Sequence, residues 1–130
     1  MFLLMKLKKD MNTAFKFFDM YVKLSEKELI VPVDTILNKC YYNSAFIANE
    51  VKNNAVVVDY GRKLVERGQG SESVDMLICQ ALQRAENIDE WKEALKEAIK
   101  RHPESFFFYA ALIDHYIAHN EAAKALKYAD

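Results

Sequence analysis

Apolar residues recur along most of the chain at intervals of three and four, the spacing that lays them on one face of an α-helix. In AFKFFDMYVKL, residues Ala14, Phe15, Phe18, Tyr21 and Val22 form one broad stripe. This predicts a helix over 11–24 with Asp10 or Asn12 as its cap. Residues 25–33 read as a short second helix or an extended link, stopped at Pro32. The run Leu29-Ile30-Val31-Pro32-Val33 is the one strand-like stretch, and its proline makes it a connector. Asp34 is a good cap for the next helix, in which Ile36, Leu37, Cys40, Tyr41 and Ser44 repeat at helical spacing. Asn43 offers a break, after which Ala45, Phe46, Ala48 and Val51 would belong to a further short helix.

Lys52-Asn53-Asn54 reads as a turn, and residues 55–67 as a helix ending at Gly68-Gln69-Gly70. Ser71 or Ser73 caps a helix carrying Met76, Leu77, Ala81, Leu82 and Ala85, which Asn87 ends. The next helix has Asp89 and Glu90 in its first turn and Lys100, Arg101 and His102 in its last, both matching the helix dipole. Its apolar face is Ile88, Trp91, Leu95, Ala98 and Ile99. Pro103 closes it, and Ser105 starts the helix after it. The stretch from Ile88 to Asp130 thus reads as helix, breaker, helix, short turn and the start of another helix. Few turn residues (Gly 3, Pro 2) and no alternation of period two point to an all-α fold. The apolar pattern runs to Asp130 without a polar end cap, so the chain is expected to be a piece of a longer stack of helices.

Alanine followed by a large apolar residue recurs at Ala14-Phe15, Ala45-Phe46, Ala94-Leu95 and Ala125-Leu126. Positions 14 and 45 are 31 apart, as are 94 and 125, with an irregular unit between them. A small residue lets two helices approach while its neighbour fills the gap between layers, so this spacing suggests stacked helical hairpins. The segment ESFFFYAALIDHYIAHNEAAKALKYAD resembles a tetratricopeptide repeat. Tyr109, Leu112, Tyr116 and Ala125 fall at matching positions, and Pro103 is the preceding breaker. Ile113 stands where that family has glycine. The stretch Tyr109 to Asp114, and AFKFFDMY, are similar to pentatricopeptide repeats as well.

The resemblance implies a right-handed α-solenoid of three to four stacked antiparallel hairpins, forming a single domain over 1–130. It also implies a non-catalytic scaffold or adaptor that binds a protein or peptide in a concave groove lined by first helices. In the last repeat that lining would be Phe107, Ala110, Asp114 and Ile117. One repeat earlier it would be Met76, Cys79, Gln83 and Glu86. Such a mixed apolar and acidic surface suits a basic or amphipathic peptide. The pentatricopeptide alternative implies single-stranded RNA read one base per repeat. Ala111 sits at the base-reading position and has no group to bond a base edge. A third reading is a helical bundle that self-associates through an exposed apolar end.

Charge and composition narrow these readings. The 18 basic and 19 acidic residues are interspersed, giving a net charge of −1, with none of the basic excess usual for phosphate binding. Cys40 and Cys79 lie in separate apolar runs with no CxxC pair, which fits reduced core thiols and an intracellular, cytoplasmic setting. No apolar run approaches the roughly 20 residues of a membrane span. MFLLMKLKK is apolar and basic, but no small-residue cleavage site follows, and Asp10 argues against a mitochondrial leader. His115 and His119 share a helix face at i, i+4, yet Tyr116-Ile117-Ala118 between them lacks the glutamate of a zinc-protease motif. They read as solvated or capping side chains. The Phe106-Phe107-Phe108-Tyr109 run spans a whole helical circumference, so at least one ring must face a groove or a neighbouring repeat. No nucleophile elbow, phosphate loop or dinucleotide fingerprint occurs, and no enzyme activity, metal or cofactor is expected.

Overall fold

The computed structural model describes residues 2–129, with side chains for 10–121 and 123–127. Among the described residues seven α-helices follow one another: α1 Phe2–Glu26, α2 Asp34–Glu50, α3 Asn54–Glu66, α4 Glu72–Arg84, α5 Ile88–Arg101, α6 Phe106–Ala118 and α7 Ala122–Ala129. No strand occurs among the described residues, so the fold is all-α. The side chains of the apolar start, residues 1–9, and the chain end at Asp130 lie outside the described set.

Five of these helices end in the same way. After α1, α2, α3, α4 and α6 a single residue takes a left-handed backbone: Glu28, Lys52, Gly68, Glu86 and Asn120, with φ of 58, 61, 75, 58 and 56°. In each case its N–H and that of the next residue turn back on the last turn. Lys52 N–H donates to the Asn49 carbonyl and Asn53 N–H to that of Ala48; Glu86 and Asn87 do the same to Gln83 and Leu82, and Asn120 and Glu121 to Ile117 and Tyr116. This is the Schellman closure, which satisfies carbonyls that a helix end leaves unpaired.

Three of these closures lead straight into the next helix, and they are periodic. Lys52, Glu86 and Asn120 are spaced 34 residues apart, as are the helix starts Asn54, Ile88 and Ala122. The starts of α4 and α6, Glu72 and Phe106, keep the same interval. Burial follows the register: Ser44, Ile78 and Leu112 are all buried, as are Ala48, Leu82 and Tyr116, and Val57, Trp91 and Ala125. The period is therefore 34 rather than the 31 suggested by the Ala-plus-large pairs. Ala94 and Ala125 are not equivalent positions, because Ala125 corresponds to Trp91.

The chain divides into two compact units, Met1–Ala81 and Leu82–Asp130. In the first, α1 packs on α2 and α2 on α3. Helix α1 starts well before residue 11, so Asp10 and Asn12 lie inside it and neither caps it. Residues 27–33 are a turn and an extended link, not a short helix. Asp34 sits in the first turn of α2 and the cap position falls to Val33. Asn43 does not interrupt α2. Asparagine costs well under about 1 kcal/mol in a helix. The same helix buries Leu37, Cys40, Tyr41, Ala45, Ile47 and Ala48, the larger of which contribute about 1.5–3 kcal/mol each. Packing wins. Ala48, Val57 and Ala81 form a core cluster against which Phe15, Val58 and Leu77 pack. Helices α3 and α4 touch at Gly61, where a Cβ would lie 2.6 Å from Ile78 Cγ1. Ser71, not Ser73, caps α4, accepting a hydrogen bond from Val74 N–H at 3.2 Å.

In the second unit α5 packs on α6 and α6 on α7. Trp91, near the start of α5, meets His115 near the end of α6, with ring centroids 5.1 Å apart. At the other end His102 stacks on Phe108. The hairpin is thus antiparallel, as the Pro103 breaker predicts, and it buries Trp91, Leu95, Ala98, Phe108, Leu112 and Tyr116.

Candidate binding surfaces

In the first unit a knot of charged and aromatic side chains ties α1, α2 and α3 together. Lys63 of α3 donates to Glu26 of α1 at 2.6 Å and lies 3.5 Å from Asp59 one turn before it. The hydroxyl of Tyr41 donates to the same Glu26 oxygen at 3.3 Å. Tyr60 donates to Asp19 of α1, and its ring meets that of Tyr41 edge-on at 5.3 Å. Lys63 lies over both rings, within the range of cation–π attraction. These contacts set the titration of each group. The Lys63 ammonium bonded to Glu26 holds its carboxyl below the usual range, against the opposing push of burial. Burial, then the hydrogen bond to Asp19, pushes the Tyr60 phenol far up. Burial and the Glu26 charge raise Tyr41 as well. Burial works against the Lys63 ammonium, but Glu26 and Asp59 outweigh it and raise its pKa.

Beside the knot, along the neighbouring stripe of α2, a cleft of about 400 Å³ opens. Thr35, Asn38, Lys39, Tyr42 and Asn43, one stripe of α2, form one wall, and Leu64 and Gln69 form the other. Arg67 stiffens the rim. Its Nε donates to Asn38 Oδ1 at 2.6 Å, its Nη2 pairs with Asp34 at 3.2 Å, and its guanidinium covers the Tyr41 ring. The side chains of Thr35, Lys39, Tyr42, Asn43 and Gln69 have no partner among the described residues. Sequence reading passed over this cleft, because a polar stripe on an amphipathic helix looks like an ordinary solvated face. Only the curl of the chain after α3, which brings Gln69 opposite, makes it concave.

The groove residues expected from the sequence fall as follows. On α6, Phe107, Ala110, Asp114 and Ile117 lie on the side away from Phe108, Leu112 and Tyr116. Phe107, Asp114 and Ile117 are exposed and Ala110 is half-buried. Phe106, 80% exposed, joins them. Among the residues expected one repeat earlier, Met76 is half-buried on α4 in the first unit. Gln83 is exposed near the end of that helix, in the second unit. Glu86 is exposed but is the left-handed residue of the turn, not part of a helix face. Cys79 is buried and presents nothing to a ligand. The 34-residue register explains both displacements: the counterparts of Phe107, Ala110, Asp114 and Ile117 are Ser73, Met76, Gln80 and Gln83.

His115 and His119 have ring centroids 4.3 Å apart, and His119 Nδ1 lies 2.9 Å from the His115 carbonyl. Burial, the neighbouring His119 and Lys92 together lower the His115 pKa, with Glu121 opposing them. No group of three or more histidine, cysteine or acidic side chains converges among the described residues. No described helix is long and apolar enough to cross a membrane. The chain matches no protein-family model, no curated protein and no solved structure.

Proposed function

We propose that the chain is a non-catalytic helical-repeat scaffold of the tetratricopeptide kind. It binds a protein or peptide segment on the exposed face of α6, the first helix of its last repeat. The observation that carries this reading is the 34-residue recurrence of helix, closure and helix, the period of tetratricopeptide arrays. Helices that pack mainly on their chain neighbours, as α1 to α3 and α5 to α7 do, suit a stack of hairpins. The face of α6 supplies the affinity. Phe106, Phe107 and Ile117 form an apolar strip of a kind that monomeric proteins rarely leave open without a use. Asp114 within the strip selects a basic or amphipathic partner.

The test is titration of the whole chain with a basic amphipathic helical peptide, followed by the backbone signals of α6. Binding is expected, and Asp114→Lys should weaken it about tenfold, or about 1.4 kcal/mol, while leaving the helical spectrum intact. Binding of single-stranded RNA instead, with affinity falling steeply as salt rises, would replace this reading by the pentatricopeptide one.

A further inference from the structure

The cleft beside α2 has a chemistry opposite to that of the α6 face, and from it we infer that the first unit holds an acidic side chain, the carboxylate of an aspartate or glutamate, of a bound peptide. The inference rests on the peptide-binding reading and specifies the ligand at one place. An arginine is a donor only, so the 2.6 Å contact from Arg67 Nε fixes the amide of Asn38 with its oxygen toward Arg67. The Asn38 nitrogen is then the end left for the cleft. Arg67 is itself held by Asp34 and by the Tyr41 ring, so this donor is set before any ligand arrives. One helical step on stands Lys39, the sole charged residue of the lining, with no acidic partner among the described residues. Asn43 and Gln69 add amide donors from the two walls.

Several donors around one cation and no carboxylate suit an anion bearing a single charge. A phosphate brings about −1.5 to −2 at neutral pH and would be left only partly neutralised by Lys39. A carboxylate is matched by one ammonium and by the two-pronged amides.

The experiment titrates the whole chain with a short peptide carrying two glutamates, blocked at both ends so that no terminal carboxylate remains. A twin peptide with glutamines serves as the comparison. The side-chain amide signals of Asn38, Asn43 and Gln69 should move with the glutamate peptide and stay still with its twin. Lys39→Glu, a change of an exposed residue, should weaken binding at least about tenfold with the circular dichroism unchanged. Asn38→Leu should weaken it as well while keeping the Lys39 charge. Equal shifts from both peptides, or an affinity indifferent to Lys39→Glu, overturn the inference. If neither glutamate peptide nor basic amphipathic peptide binds, the scaffold reading falls with it. If only the basic peptide binds, at α6, the carboxylate assignment alone is lost.

Discussion

At the scale of single residues the tightest constraint is Gly61. A mid-helix glycine replaced by alanine ordinarily gains about 0.5–1 kcal/mol. Here the new methyl would stand 2.6 Å from Ile78 Cγ1 and 3.0 Å from its Cδ1, and overpacking of that kind costs about 1–3 kcal/mol. The steric term wins, so Gly61→Ala should destabilise the protein in urea unfolding. Adding Ile78→Ala should give a double variant less unstable than the sum of the two single changes. Strict additivity would show that the contact is not the cause. The Tyr41–Tyr60–Lys63 knot makes a second prediction. Both phenols titrate above their ordinary 10.0 in the folded state and Lys63 above its 10.5. Above pH 10 the unfolded chain therefore holds fewer protons than the native one, and stability falls as pH rises. Tyrosinate absorbance of these two residues should appear together with loss of helix, not before it. Tyr60→Phe should lower the stability at neutral pH while making its decline above pH 10 shallower.

Among the elements, α5 and α6 were legible in the sequence and α1 and α2 less so. Trp91, Leu95, Ala98 and Ile99 sit on a strict helical stripe between an acidic start and a basic end, with a proline to stop it, and every local signal agrees. Helix α2 misled because Asn43 is a weak breaker locally, and its cost is overruled by packing that only the tertiary structure reveals. The turns at Lys52-Asn53-Asn54 and Asn87 were legible from their asparagines, but their left-handed residues were not. Lys52 and Glu86 lack the glycine or asparagine signature of a helix end, which Gly68 and Asn120 carry. For the well-read hairpin the expectation is simple. Leu112 is fully buried at the centre of α6, so Leu112→Ala should cost about 2–5 kcal/mol in chemical denaturation. A loss below about 0.5 kcal/mol would mean that α6 does not pack on α5 and α7 as described.

At the scale of the whole molecule, helix starts and closures recur at 34 residues, whereas the alanine pairs in the sequence point to 31. Equivalent positions share burial and not identity: Val57, Trp91 and Ala125 occupy one structural place, and Ser44, Ile78 and Leu112 another. With so little identity at the repeated places, alanine pairs at unrelated positions gave the stronger and misleading interval. The candidate surfaces fared likewise. The α6 face followed from the tetratricopeptide resemblance, whereas the α2 cleft depended on a loop that no periodicity describes. The shared closures also make a prediction for the molecule as a unit. Glu28, Lys52, Glu86 and Asn120 each hold a backbone that costs an ordinary side chain about 1–2 kcal/mol. Glycine relieves this at an entropic cost of about 0.5–1 kcal/mol. Each substitution to glycine should therefore stabilise slightly, least at Asn120. Since each closure bonds only to its own helix and the four share no partners, the gains should add, raising the melting temperature of the quadruple variant above that of any single one.

The link between α1 and α2 has a consequence for how the protein ages in the presence of proteases. A protease binds its substrate as an extended chain with large side chains free to enter its pockets. Residues 29–33 are a bend and a link outside any helix, extended at Val33, with Leu29 67% and Val31 95% exposed. The bond after Leu29 is thus the natural first cut for an enzyme that prefers large apolar residues, whereas the helices resist it. The cut ends would not separate. Tyr21 still accepts a hydrogen bond from Val33 N–H, Glu26 still receives Tyr41 and Lys63, and Tyr60 still reaches Asp19. Limited digestion should yield two bands on a denaturing gel and one undiminished peak on a sizing column: a nicked protein in which α1 has become a separate chain bound non-covalently in its own place.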